Sequence, residues 1–410
     1  MSDKDIKIIY LVGGPLSERW LHYYCLDELS KLFSIEYWDC SGILSRGYDV
    51  QNPLDRPYVL VIENRKHLQQ LLQNLSGREI LMPEVAFKKE TYSLFKQFSK
   101  YIHYCVLIDI WTSVVDFQMD IPAHSSTKTV EKNCIQKGIL ERFIQKLCRC
   151  INRLDCVQYF RTDKDVWKYE RKLKEVYTYM LLCEKLFTVF RISYNARTPY
   201  SIHHPDYLKY LELQDNSERI ISEPYIVFIS QYYPYHADIN PKDFAKDIDQ
   251  IADCYYASLN SFFDKLENEY HCRVVIAEHP SGKGIENRYG GRDIYYYKTA
   301  ELIRDSVAVC MHSSNAIAYV ALYNKPMVIF TNEALGYVPK VEQYTLRFAQ
   351  KLGIKIINVD QMDDVKNIFI QIDEHRVEYI RKVLLNSKNR NYTNAELYAR
   401  YFREIAQKID

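Results

Sequence analysis

Short apolar segments alternate with amphipathic ones along the first third of the chain. The strand-like runs are "IKIIYLV", "SIEYWDC", "YVLVIE", "REILMPE" and "YIHYCVLIDIW". The segments between them have helical periodicity and include "SERWLHYYCLDELSKLF", "HLQQLLQNL" and "ETYSLFKQFSK". Short apolar runs that alternate with helices predict a parallel sheet covered on both faces.

The pattern changes between about 127 and 190, where Lys and Arg recur at helical spacing and no strand is indicated. We expect a helical insertion in this part of the chain. Its basic residues are either solvated helix faces or a surface for an anionic lipid or a charged acceptor.

A second alternation begins after the polar segment "SIHHPDYLKYLELQDNSER", so we expect a domain boundary near 215. The predicted strands are "PYIVFIS", "CRVVIAE", "DIYYY", "VAVCM", "PMVIF" and "IKIINV". The pattern predicts an α/β protein of two Rossmann-like domains, 1–215 and 216–385, with a cleft between them. The last segment, 386–410, is expected to form a helix that packs back on the first domain.

Composition narrows the class of protein. A length of 410 residues exceeds what a single core usually supports, which agrees with two domains. A net charge of +1 argues against a general nucleic-acid binder. The 11 cysteines lack CxxC spacing, and no apolar run approaches the ~20 residues needed to span a bilayer. We expect a cytoplasmic protein, with peripheral contact at the inner membrane face left open.

The stretch "VVIAEHPSGKG", 274–284, ends a predicted buried strand in a histidine. His279 would lie at the carboxyl edge of the sheet, and Pro280 would fix the turn behind it. Ser281 and Lys283 add a hydroxyl and an ammonium group that suit a phosphate. The alternative is an ordinary strand-end turn.

The stretch "VAVCMHSSNAIAYVALYNKPMVIF", 307–330, repeats this arrangement one strand away. Its strand ends in His312, and Ser313 and Ser314 are expected to open a helix whose first amides could bind an anion. Ser313 could instead only cap the helix. Two phosphate-compatible strand ends in one sheet favour a nucleotide site.

Two further groups adjoin these strand ends. Gln231 and His236, in "FISQYYPYHADIN", would lie at the domain junction near the reacting end of a donor, unless they only form a turn rich in tyrosine. Thr299 and Glu301 open the helix after "DIYYY", where they could bind a base or ribose, although Glu301 could be a simple first-turn charge.

The "HP", "HSS" and "NKPMVIF" motifs together resemble glycosyltransferases of the GT-B fold. More narrowly, they are similar to bacterial sialyltransferases, polysialyltransferases and Kdo transferases, which use CMP-activated sugars. CDP-glycerol polymer transferases show a related pair of motifs. The resemblance covers roughly 224–332, and it implies that His279, Pro280, Ser313 and Ser314 hold the nucleotide.

The resemblance implies a nucleotide-sugar donor in the second domain and a glycan acceptor, lipid-linked, in the first. The favoured donor is a CMP-linked nonulosonic acid or Kdo, used in the synthesis of O-antigen, capsule or lipooligosaccharide. A UDP- or GDP-hexose transferase is the first alternative. A non-catalytic nucleotide- or glycan-binding partner and a nucleotide-sugar epimerase remain open.

One departure concerns the general base, because the acidic "(D/E)(D/E)G" motif of these sialyltransferases is absent from the first domain. Asp109 and Glu84, each at the end of a predicted strand, are the candidate bases. Gly13 and Gly14 would border the acceptor side of the cleft. We expect no cofactor beyond the donor substrate and no metal, because "DKD" (163–165) and "DID" (247–249) fall in predicted helices.

Overall fold

The protein folds into two α/β units, each built on a sheet whose strand pairings are parallel. The computed structural model describes residues 2–44, 53–84, 92–101, 104–109, 179–182, 198–236, 247–284, 286–385 and 389–408. The expected GT-B architecture of two Rossmann-like units is confirmed.

The first sheet has the strand order β3-β2-β1-β4-β5-β6-β7. Its strands are β1 (Lys7–Val12), β2 (Ser34–Asp39), β3 (Val59–Val61), β4 (Ile80–Glu84), β5 (Tyr104–Asp109), β6 (Tyr179–Leu182) and β7 (Thr198–Ser201). Its helices are α1 (Glu18–Tyr24), α2 (Leu26–Leu32), α3 (Ser41–Leu44), α4 (Arg65–Gln73) and α5 (Tyr92–Tyr101).

The helix predicted over "SERWLHYYCLDELSKLF" is broken at Cys25. This residue adopts a left-handed conformation with φ 50° and ψ 44°, and its amide donates to the carbonyl of His22. The break turns the chain so that Tyr24 and Leu26 are both buried against the first sheet. Periodicity did not reveal it, because both short helices present apolar residues to the same core.

The predicted helical insertion is wrong in one segment. Residues 179–182 form β6, which pairs with β5 on one side and β7 on the other. The apolar run "YMLL" suits an inner strand, but so short a run cannot be told from a buried helix by periodicity. The parts of the insertion at 127–178 and 183–190 lie outside the described residues.

The second sheet has the strand order β10-β9-β8-β11-β12-β13. Its strands are β8 (Tyr225–Ile229), β9 (Arg273–Glu278), β10 (Ile294–Tyr296), β11 (Ala308–Met311), β12 (Met327–Thr331) and β13 (Ile357–Asn358). The order reverses between β8 and β11. Crevices outside the strand carboxyl ends at such a reversal are the usual ligand sites of open α/β sheets.

The remaining helices surround the second sheet or return to the first. They are α6 (Pro205–Gln214), α7 (Ile248–Tyr270), α8 (Thr299–Asp305), α9 (Ile317–Leu322), α10 (Pro339–Leu352), α11 (Glu374–Leu384) and α12 (Asn394–Ala406). Short 3₁₀ turns lie at Asp3–Asp5, Pro280–Gly282, Glu333–Tyr337 and Val359–Gln361.

The chain crosses between the two units twice. Helix α6 packs with α8, α9 and α11 of the second unit, although it precedes the boundary predicted near 215. Helix α12 packs on the first unit, where the Phe402 ring lies 5.9 Å from that of Phe33.

The two crossings are joined by a pair of buried hydrogen bonds between His203 and Asn394. The Asn394 side chain accepts from the His203 amide at 2.9 Å and donates to the His203 carbonyl at 2.9 Å. Burial lowers the pKa of the His203 imidazole, whose Nε2 lies 3.0 Å from the carbonyl oxygen of Tyr392.

We expect Asn394→Ala to lower the free energy of unfolding by about 2–4 kcal/mol, because it leaves a buried amide and a buried carbonyl unpaired. Urea unfolding measures this loss. Asn389→Ala is the matched control, since its side chain makes one longer bond of 3.3 Å to Tyr401. Equal losses in the two variants would contradict the importance of the pair.

Candidate functional site

The loops that carry the predicted site residues follow adjacent strands of the second sheet. Ile229, near the end of β8, is in register with Ala277 of β9 and with Met311 of β11. The strands are fully buried because apolar residues occupy both faces. Their carboxyl ends therefore bring the loops after β8, β9 and β11 to one edge of the sheet.

Two histidines from different loops are in contact at this edge. The rings of His236 and His279 lie 4.9 Å apart between centroids, with an interplanar angle of 61°. Both side chains are half-buried. The two residues follow separate strands, and the fold brings them together.

The turn after His279 packs closely because Gly282 has no side chain. A Cβ atom there would lie 3.0 Å from the Glu278 Cγ and 3.1 Å from the Tyr232 Cδ2. The Gly282 amide donates to the His279 carbonyl at 2.9 Å, and the Tyr296 hydroxyl donates to the Gly282 carbonyl at 3.0 Å. The turn is thus held from both sides.

A buried hydrogen-bond network lies beneath the histidines. Tyr289 donates its hydroxyl hydrogen to the Glu278 carboxylate, and Ser230 Oγ lies 2.8 Å from the Tyr289 hydroxyl oxygen. The carboxylate also accepts the His279 amide at 2.7 Å, and Ser230 Oγ accepts the Tyr232 amide at 3.0 Å. The network fixes the β8 and β9 loops relative to each other.

Glu278 is only 5% exposed. Desolvation raises the pKa of its carboxyl above the usual value, while hydrogen bonds from Tyr289 and Ser230 oppose that rise. Neither Glu278 nor Tyr289 was predicted from the sequence as a site residue. No sequence signal linked them, since their contact depends on the fold of the loop after β9.

His312 lies in the interior beneath this edge, a placement that favours a structural role over direct contact with a ligand. The ring is fully buried, with Nε2 at 2.9 Å from the Tyr255 hydroxyl and Nδ1 at 2.8 Å from the Phe330 carbonyl. Desolvation lowers the pKa of His312 to about 4. His312 therefore supports the loop after β11 from beneath, as a neutral residue.

The two serines have different roles from those expected. Helix α9 begins only at Ile317 and has six residues, so Ser313 does not open it. Ser314 Oγ accepts the Ala316 amide at 3.2 Å and the Ser314 carbonyl accepts the Ile317 amide at 3.2 Å. Ser313 is fully buried, with Oγ 3.4 Å from the Gln231 Oε1.

Helix α8 begins at Thr299 as predicted, and Glu301 lies in its first turn. The Glu301 Oε1 lies 3.3 Å from the Lys298 Nζ and 3.9 Å from the Lys209 Nζ of α6. Glu301 is only 8% exposed and is directed at α6. This placement favours the structural interpretation of Glu301 over contact with a ribose.

The other residues of the β9 turn differ in exposure. Pro280 is exposed, and so is Lys283, whose Nζ lies 5.9 Å from the Tyr297 ring centroid. For Ser281 the structure describes only the backbone, within the 3₁₀ turn.

In the first unit, Gly13 and Gly14 directly follow β1. The Gly14 carbonyl accepts the Tyr37 hydroxyl at 2.9 Å, and a Cβ atom added at Gly14 would meet nothing within 4 Å. Glu84 ends β4 and Asp109 ends β5, as predicted.

Asp39 is a third carboxylate at this edge, and sequence analysis missed it. Val12 is in register with Asp39 on one side and with Glu84 on the other. Asp39 is buried, and its Oδ1 accepts the Ser41 amide at 2.9 Å. The same strand-end rule that indicated Glu84 could have indicated Asp39.

Within the described ranges, no three His, Cys, Asp or Glu side chains are grouped so that they could hold a metal ion. The "DKD" segment lies outside those ranges. The "DID" segment begins α7 instead of lying inside it: Asp247 caps the helix and accepts the Asp249 amide at 3.0 Å. In the part of the chain that the structure describes, no helix is long and apolar enough to cross a membrane.

No family model matches the chain, and no curated protein matches it. Among solved structures, the wall teichoic acid polymerase TagF (H548A) is 8% identical, with a TM-score of 0.51 and coverage of 99% of this chain and 90% of that one. UDP-N-acetylglucosamine 2-epimerase from Rickettsia bellii is 11% identical, with a TM-score of 0.43 and coverage of 98% and 96%. The glycosyltransferase SnogD from Streptomyces nogalater is 9% identical, with a TM-score of 0.32 and coverage of 98% and 97%.

The likeness to TagF agrees with the GT-B fold seen in the two sheets. At this identity it extends to the fold alone. Similar folds host unrelated activities, so the function must be argued from the site.

The burial of His312 makes stability depend on pH. The pKa of His312 in the folded protein is about 4, below the ordinary value of 6.5. The stabilisation that the neutral side chain gives the folded state is therefore complete above pH 6.5 and is lost as the pH falls toward 4. Between pH 7 and pH 4, we expect the free energy of unfolding to fall by about 3 kcal/mol less in His312→Gln than in the wild type. Urea unfolding of both proteins between pH 7 and 4 measures the difference, and parallel profiles would contradict a neutral His312.

Proposed function

We propose that the protein is a glycosyltransferase that moves a sugar from a nucleotide-activated donor to a glycan acceptor. The observation that supports this most is the meeting of His236 and His279 at the strand ends beside the sheet reversal. Gln231 lies in the same loop after β8 as His236, and Ser314 follows β11 on the other side of that reversal. This edge offers imidazole, hydroxyl and amide groups to one ligand.

The chemistry of the edge suits a departing nucleotide phosphate. Negative charge develops on the phosphate oxygen as the bond to the sugar breaks, and preorganised hydrogen-bond donors stabilise that charge. His236 and His279 supply ring nitrogens, and Ser314 a hydroxyl. The buried Glu278 network restrains the loops that hold the histidines, so little reorganisation is needed during reaction.

The donor we favour is a CMP-linked nonulosonic acid or Kdo, and the acceptor a lipid-linked glycan of a bacterial surface polysaccharide. The support is the resemblance of the His279-Pro280 and Ser313-Ser314 motifs to transferases of that kind. The acceptor would bind at the first unit, on the cytoplasmic side of the membrane. Asp109 or Glu84, at the carboxyl edge of the first sheet, would deprotonate the acceptor hydroxyl.

Calorimetric titration with CMP, CDP, UDP and GDP tests the nucleotide site. We expect His279→Ala and His236→Ala each to weaken the preferred nucleotide by about 1–3 kcal/mol, because each removes a hydrogen-bond partner. His375→Ala, an exposed histidine on α11, is the matched control. Absence of nucleotide binding, or equal affinity in all variants, would contradict the assignment, and preference for UDP or GDP would point to a hexose donor.

The role of the first unit is tested by transfer assays with Asp109→Asn and Glu84→Gln. We expect one of them to lower the transfer rate about 10²–10⁴-fold while nucleotide affinity is retained, as is typical for loss of a general base. Glu63→Gln, an exposed carboxylate after β3, is the control. Conversion of the sugar nucleotide without any acceptor would instead favour an epimerase.

A further inference from the structure

A row of neutral polar side chains lies beside the phosphate-compatible edge. We call this set, Gln231, Ser313, Thr331 and Thr345, the hydroxyl row. Met311 of β11 is in register with Ile329 of β12, and both pack in the same core as Phe348 of α10. Thr331 follows Ile329 by two residues within β12, so it lies on the same face. Ser313 follows the end of β11, and Thr345 lies on α10 one turn before Phe348.

Ser313 lies close to two other members of the row, Gln231 and Thr345, at distances that are long for hydrogen bonds. Ser313 Oγ lies 3.4 Å from the Gln231 Oε1 and 3.5 Å from the Thr345 Oγ1, which is longer than usual for a hydroxyl donor. Ser313 and Thr345 are fully buried. Gln231 is half-buried, so it forms the boundary between the row and solvent.

Thr331 is the least satisfied member of the row. It is 8% exposed, and its Oγ1 is buried without a hydrogen-bond partner among the described residues. A buried hydroxyl without a hydrogen-bond partner destabilises the folded protein. Such groups are rare in native proteins, and each requires an explanation. A bound molecule that supplies the missing hydrogen-bond partner is one such explanation.

The chemistry of the row selects the kind of group that it can bind. Hydroxyls both donate and accept, and the Gln231 amide adds two donors and an acceptor. The row contains no charged side chain, whereas phosphates and carboxylates are bound most strongly by cationic donors. An alcohol group fits these partners better than an anion does.

We propose that the hydroxyl row binds hydroxyl groups of the transferred sugar and so determines which sugar the protein accepts. This inference rests on the proposed function. Ser313 directly precedes Ser314, so a sugar attached to a phosphate at Ser314 and His279 would lie next to the row. The nucleotide itself would bind on the other side, toward β9.

The test compares the affinity of one protein for each free nucleotide with its affinity for the matching activated donor. The pairs are CMP with CMP-N-acetylneuraminate, CDP with CDP-glycerol, and UDP with UDP-glucose, titrated by calorimetry. In the pair that wild type prefers, Thr331→Val should weaken the activated donor about five- to tenfold and leave the free nucleotide unchanged. Thr331→Ser keeps the hydroxyl and should keep most of that affinity.

The same comparison with Thr345→Val and Thr345→Ser gives a second test if Thr331→Val does not fold. Equal weakening of nucleotide and donor, or unchanged donor affinity together with a higher melting temperature in Thr331→Val, would overturn the proposal. A protein that binds no nucleotide contradicts the proposed function. If the protein binds nucleotide normally but the Val and Ser variants bind the activated donor equally well, only the proposed role of the hydroxyl row is contradicted.

Discussion

The candidate site depends on one buried carboxylate. Glu278 accepts hydrogen bonds from the Tyr289 hydroxyl and from the His279 amide, and through Tyr289 it is linked to Ser230 at the end of β8. The carboxylate is kept in a desolvated position, where burial raises its pKa. These bonds join the loops after β8 and β9, which carry His236 and His279.

Burial separates two groups of histidines among the described residues. His203, His204 and His312 are buried, and desolvation lowers the pKa of each, so they act as neutral hydrogen-bonding groups within the fold. His236 and His279 are half-buried at the strand ends, where a ligand can reach them. The residue type alone does not distinguish a structural histidine from a binding one.

Much of the fold could be predicted from the sequence because buried parallel strands are continuous apolar runs. The strand ends at Glu84, Asp109 and His279 followed from those runs. The break at Cys25 and the strand at 179–182 could not be predicted, since a single left-handed residue leaves no periodic signal and "YMLL" suits either element. The inward position of His312 and the partnership of Glu278 with Tyr289 depend on tertiary packing.

The proposed function requires that His236 and His279 contact a nucleotide, while His312 supports the loop after β11 from inside. The most direct measurement is the ring-nitrogen NMR signal of these three histidines during titration with the preferred nucleotide. We expect large shifts for His236 and His279 and almost none for His312. Unchanged signals for His236 and His279, or a large shift for His312 alone, would contradict the proposed function.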